Sequence, residues 1–119
     1  MTTSQMNAAR GEIWLVRFPF TDLSSTKVRP AVMCAVFGED VVVVGVFSRV
    51  PSSPLRETWV LVEEGEPDFA PTGLAKTSVV KAEKLALVHR SVLQRRLGHL
   101  SPTMMSRISI ALKKALHLE

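Results

Sequence analysis

Few side chains in this chain have the type and spacing that chemistry needs. His89, His99 and His117 stand far apart, none at a metal-ligand spacing from another histidine or from the single cysteine, Cys34. One cysteine makes no zinc ribbon, no Cys-x-x-Cys redox pair and no internal disulfide, so no metal or other cofactor is expected. Cys34 lies among Met33, Ala35 and Val36 and reads as a small buried hydrophobe, not a nucleophile. The carboxylates Glu63, Glu64, Glu66 and Asp68 cluster, but Gly65, Pro67 and Pro71 mark their segment as a solvated loop. The sequence contains no glycine-rich phosphate loop and no G-x-S-x-G elbow, which removes nucleotide-dependent enzymes and α/β-hydrolases.

Charge says more. Residues 1–75 carry 6 Lys/Arg against 9 Asp/Glu, a net of −3, whereas residues 76–119 carry 9 against 2, a net of +7. With an isoelectric point near 9.7, the basic part suits a phosphate-rich or acidic partner as well as it suits an ordinary solvated face. Within it, Lys81 and Glu83 alternate with Val80 and Ala82, so both point to one face of a strand, where a same-face ion pair is the simplest reading. Lys84, Arg90, Arg95 and Arg96 add further cations that could extend a phosphate-binding surface.

The elements that must position these groups are short. With 119 residues, the chain has length for one domain, expected over 10–119 behind a polar, flexible leader at 1–9. Strands are predicted at Glu12–Phe18, with Trp14, Val16 and Phe18 on one face, then at Ala31–Phe37 and Val41–Ser48, joined as a hairpin through Gly38-Glu39-Asp40. Further strands follow at Glu57–Glu63, Thr77–Ala82 and Leu85–His89, while Arg90–Leu100 fits either a helical turn ended by Gly98 or an edge strand. Ser101 as cap, Pro102 at the first helical position, and Met104, Ile108, Leu112 and Leu116 at four-residue spacing predict a C-terminal amphipathic helix. The pattern is mainly β with one helix (β+α): a small, strongly curved antiparallel sheet or partly open barrel. Trp14 is assigned to the core and Trp59 to the core ahead of a base-stacking role; Phe20, in a polar loop, is the preferred stacking residue. No apolar run approaches the roughly 18 residues of a membrane span. The lone cysteine and the absence of a signal-like start predict a reducing, cytoplasmic setting.

Three pieces now stand in order: Arg10-Gly11-Glu12-Ile13-Trp14-Leu15-Val16, Lys27-Val28-Arg29-Pro30-Ala31-Val32, and Thr77-Ser78-Val79-Val80. Together they resemble the MazF/PemK family of toxin endoribonucleases from bacterial toxin–antitoxin pairs, over nearly the whole chain from Arg10 onward. The resemblance implies an SH3-like small antiparallel barrel with a C-terminal helix, a homodimer, metal-independent cutting of single-stranded RNA such as mRNA, and inhibition by a cognate antitoxin protein. It matches Arg29 to the arginine of the family's R-P motif and Ser48 to a position usually held by Thr or Ser. A family V-V-R-x-D pattern that places catalytic Arg and Asp reads here as Val79-Val80-Lys81-Ala82-Glu83, with both charges kept and both residue types changed. The loop Phe18–Lys27 lacks the glycines common in the family, so its shape and the choice of RNA sequence are not inherited.

These residues fit the chemistry that the resemblance implies. RNA cleaves itself when the 2′-oxygen lines up with the adjacent phosphorus, so a protein must supply alignment, proton transfer and charge stabilisation. Arg29 offers a planar fork of donors to two phosphate oxygens. Ser48 can donate to the phosphate or align the 2′-hydroxyl, and Lys81 with Glu83 stand as the possible proton-transfer pair. Phe20, Thr21, Lys27, Arg49 and Lys84 complete the expected RNA contacts. The plainer alternatives are an Arg29–Asp22 ion pair and a Ser48 hydroxyl bonded to backbone. Two other functions stay open at this point: a binding toxin of the gyrase-poison type, and a degenerate relative that only binds antitoxin.

Overall fold

A computed structural model describes residues 7–17 and 27–118. Runs of branched residues make the strands β1 (Glu12–Arg17), β2 (Val28–Phe37), β3 (Asp40–Phe47), β4 (Trp59–Val62), β5 (Ser78–His89) and β6 (Leu93–His99), followed by the helix α1 (Pro102–Ala115). The strands pair antiparallel in the order β4-β5-β3-β2-β1-β6. The expected barrel is therefore a curved six-stranded sheet that does not close. Gly38, at φ +64°, takes the left-handed corner of the β2–β3 hairpin at no steric cost.

Apolar side chains fill both faces. One cluster joins Ile13, Val32, Val44, Val80 and others to Met104, Met105, Ile108 and Ala111 of α1; the other gathers Trp14, Val16, Met33, Val43, Val88 and Leu93 on the opposite side. Cys34 is buried, and burial lifts its thiol to about 11 despite the Arg10 charge, so it is packing material. Ser101 caps α1 as expected: its Oγ accepts from the Met104 N–H at 3.1 Å and donates to Asp68 at 2.6 Å.

The Arg10-Gly11-Glu12 start proves to be a structural clamp. The Arg10 guanidinium donates to the Cys34 carbonyl and to Ser109 on α1, each at 2.9 Å. The Gly11 N–H donates to the Met33 carbonyl, and the Leu100 N–H to the Gly11 carbonyl. Glu12 accepts from the Trp14 indole at 2.9 Å and pairs with Arg96 at 3.0 Å.

Two expectations need correction. The strands foreseen at Thr77–Ala82 and Leu85–His89 are one strand, β5, whose pairing with β3 jumps from Val44↔Leu85 to Gly45↔Lys81. The intervening Ala82-Glu83-Lys84 bulge bends β5 without ending it, and its charges imitate a loop in the sequence. In Arg90–Leu100 the edge-strand reading holds and the helical turn ended by Gly98 does not: Leu93–His99 is the edge strand β6, entered through a short 3₁₀ turn at Arg90–Val92. Gly98 does not stop a helix. It lies in β6 where the backbone of Pro71 and Thr72 presses so close that a Cβ would collide with it.

Candidate active site

Register alone brings the site together. Lys81 stands opposite both Gly45 on β3 and Trp59 on β4, and Ala31 on β2 also stands opposite Gly45. Two residues on from these positions lie Phe47 and Arg29, on the same face because side chains alternate along a strand. Cations and rings therefore interleave across four strands. Arg29 lies 5.5 Å from the centre of the Phe47 ring, Lys81 4.6 Å from Phe47 and 4.5 Å from Trp59, and Arg56 5.2 Å from Trp59. The row runs Arg29–Phe47–Lys81–Trp59–Arg56. Each ring presents its negative face to cations, so three positive groups share one surface with an aromatic ring between neighbours.

Arg29, Phe47, Ser48, Arg49 and Lys81 line a cleft of about 410 Å³. A second cleft of about 280 Å³ shares Arg29 and Ser48 and adds Lys76 and Ser78. Ser48 and Arg49 are exposed at the end of β3, and Arg29 is partly buried at the start of β2. The first cleft thus offers three cations and one hydroxyl, with no carboxylate or imidazole among its described lining. Such a lining suits a phosphate group.

Glu83 stands apart. Its Oε1 accepts from Thr58 Oγ1 at 2.7 Å, and its Oε2 accepts from the Trp59 indole Nε1 at 2.6 Å and faces Arg56 at 3.4 Å. Burial pushes its carboxyl up, but the bonds from Trp59 and Thr58, a backbone bond and the Arg56 charge outweigh this and hold it below the ordinary 4.5. It lines a different cleft with Thr58, Lys114 and His117. The Lys81–Glu83 ion pair expected from the alternation is replaced: the cation beside Glu83 is Arg56, and Lys81 is given over to the rings.

Of the expected RNA contacts, Arg49 lies in the first cleft; Lys27 is exposed just before β2, and Lys84 lies in the β5 bulge and lines neither of the two clefts around Arg29. Phe20, Thr21 and Asp22 fall outside the described residues. Arg96 is engaged with Glu12. Trp59, assigned to the core from sequence, is instead half-buried on an edge strand. Sequence reasoning also missed Thr58, Arg56 and Lys76. No local pattern reveals them: Arg56 and Thr58 meet Glu83 across 27 and 25 residues, and Lys76 joins Arg29 and Ser48 only through the fold.

A family model described as PemK-like, MazF-like toxin of type II toxin-antitoxin system matches residues 9–116. The curated proteins give no match to the sequence. Among solved structures, a mycobacterial endoribonuclease in complex with its cognate antitoxin superimposes with a TM-score of 0.70 at 23% identity, covering 95% of this chain and 98% of that one. The Mycobacterium tuberculosis toxin MazF-mt6 gives 0.71 at 20% identity, covering 91% of this chain and 98% of its own. MazF in a MazE–MazF complex from Deinococcus radiodurans gives 0.64 at 17%, with 96% and 98% covered. At these identities the likeness is one of fold.

Proposed function

This chain belongs to the PemK-like, MazF-like toxins of type II toxin–antitoxin systems, and from that membership we propose that it is a metal-independent endoribonuclease that cuts single-stranded mRNA. The observation that carries the reading is the convergence of Arg29, Ser48, Arg49 and Lys81 on one cleft. In the cut, the 2′-oxygen attacks the adjacent phosphorus and the bond to the 5′-oxygen breaks, leaving a 2′,3′-cyclic phosphate and a 5′-hydroxyl. The 2′-proton passes to water, and the leaving oxygen takes a proton in return. Arg29 grips two phosphate oxygens with its fork, and the charge that gathers there in the transition state tightens that grip. Ser48 aligns the 2′-hydroxyl or donates to the phosphate, and the Lys81 ammonium offsets charge on the leaving oxygen.

Arg49 and Lys27 hold flanking phosphates, Lys84 meets the strand farther out, and Phe20 with Thr21 contacts the bases. The protein works as a cytoplasmic homodimer that a cognate antitoxin restrains; what supports an antitoxin partner is the mycobacterial endoribonuclease of similar fold, which forms a complex with its cognate antitoxin. Among the described residues no helix is long and apolar enough to cross a membrane.

The test is direct. Purified protein incubated with a long unstructured RNA in excess EDTA yields discrete fragments with cyclic phosphate ends. Cutting that requires magnesium, or that leaves 3′-hydroxyls, defeats the mechanism. Intact RNA with early DNA breaks in cells would move the protein to the gyrase-poison class.

A further inference from the structure

The matched family pattern invites a proton-transfer role for Glu83, but its surroundings favour a different one. A general base must come within hydrogen-bond reach of the proton it takes, about 3 Å. Both oxygens of Glu83 already serve as acceptors, Oε1 for Thr58 and Oε2 for the Trp59 indole, and Arg56 neutralises the group from outside. The carboxylate does not line the cleft of Arg29 and Ser48. What it reaches is the edge of the ring whose face lies 4.5 Å from the Lys81 ammonium. Lys81 has four rotatable side-chain bonds and is expensive to hold in one place. Phe47 on one side and Trp59 on the other confine it, and the indole can confine it only if the indole is itself fixed.

We infer that Glu83 and Trp59 are positioning residues: the carboxylate holds the indole by its Nε1–H, and the indole face holds the Lys81 ammonium beside Arg29 and Ser48. Glu83 then acts on the reaction through Trp59, and it accepts no proton from RNA. The catalytic consequence rests on the ribonuclease reading; the clamp itself does not.

The conservative variant separates the two roles. In Glu83→Gln the amide oxygen still accepts from the indole, and the amide NH₂ donates to the Thr58 hydroxyl, which can turn to receive it. A clamp survives this change, whereas a base does not. Glu83→Ala and Trp59→Phe each remove the indole bond, and a displacement of the reacting groups by a fraction of an ångström to 1 Å costs roughly 10- to 100-fold in rate. The expected pattern is a loss of that size in kcat for both, with KM little changed, a double variant no worse than the worse single one, and E83Q recovered to within about threefold of the unmodified enzyme. E83Q as inactive as E83A, or W59F cutting at the full rate, overturns the proposal. Thermal melts of each variant separate these losses from unfolding.

A second readout uses no RNA. The Lys81 ε-methylene protons, held over two aromatic faces, resonate upfield; E83Q preserves that shift and E83A relaxes it. An E83A protein with unmoved Lys81 shifts overturns the clamp whether or not RNA is cut. A protein that cuts no RNA while Lys81 follows this pattern defeats the ribonuclease reading alone.

Discussion

Replacing Arg29 by alanine separates a working site from an ordinary strand-end arginine, because the two make opposite claims about rate and stability. Arg29 is partly buried and lies 5.5 Å from the Phe47 ring centre. A cation–ring contact of this kind contributes about 0.5–1 kcal/mol and the partly buried stem adds packing, so R29A lowers stability by roughly 1–2 kcal/mol. Against a typical total of about 5–15 kcal/mol, the variant stays folded. Its chemistry should suffer far more. Loss of one preorganised donor to a developing oxyanion costs about 100- to 1,000-fold, or about 2.7–4 kcal/mol in the barrier. Arg29→Lys sharpens the contrast: it keeps a cation near Phe47, and so the stability, but lacks the two-point fork and remains slow. Single-turnover cleavage of a fluorescently labelled RNA in EDTA gives the rates; circular dichroism melts give the stabilities. Folded R29A that cuts at the unmodified rate refutes the assignment, and R29K at full rate refutes the fork.

Three further outcomes follow from the fold. Gly98→Ala forces a methyl into the Pro71 carbonyl and Thr72, destabilising by about 3 kcal/mol and lowering the melting temperature by roughly 10 °C; an unchanged melt would show that the contact is loose. His117 holds φ +57° just past α1, where the Leu118 N–H reaches back to the Lys113 carbonyl, so His117→Gly raises stability by about 1 kcal/mol in urea titrations. Glu12 is pushed up by burial, but its bonds to the Trp14 indole, the Ala9 N–H and Arg96 hold it below the ordinary 4.5 on balance. Its contribution to stability is full above that ordinary value and is lost as pH falls through the lower folded one. Urea midpoints measured from pH 6 to 3 drop less steeply in Glu12→Gln than in the unmodified protein; parallel curves would discount the group.

Local signals in the sequence were strong wherever neighbours in the chain are neighbours in space. The β2–β3 hairpin is signalled by Gly38-Glu39-Asp40, of which Gly38-Glu39 make the turn and Asp40 opens β3, and α1 by Ser101, Pro102 and apolar residues four apart. In sequence β5 looks like two strands because Glu83 and Lys84 interrupt its apolar run, and a bulge leaves no other trace there. Arg29 and Ser48 stood out through a family motif, but their meeting with Lys81 depends on the register of three strands. Trp59 shows the limit most clearly. Alternation put it on a strand, yet its placement on the edge strand β4, opposite Lys81, comes from pairing across 22 residues. Glu83 was legible as a charge but not as the partner of an indole.

The unclosed sheet ends at β4 and β6, and each border strand offers backbone groups that another chain could extend. Unchecked, such borders recruit strand after strand into fibres. The two are protected by different means. β4 is only 4 residues long, too brief to template much. β6 has 7 residues but carries exposed Arg95 and Arg96, and the Ala70–Thr72 turn with Gly73 lies against its Leu97-Gly98 backbone. That turn is consequently a guard against polymerisation as well as a packing element. A lesion that lifts it uncovers the longer border, and the damage would first be visible as light scattering in concentrated solution.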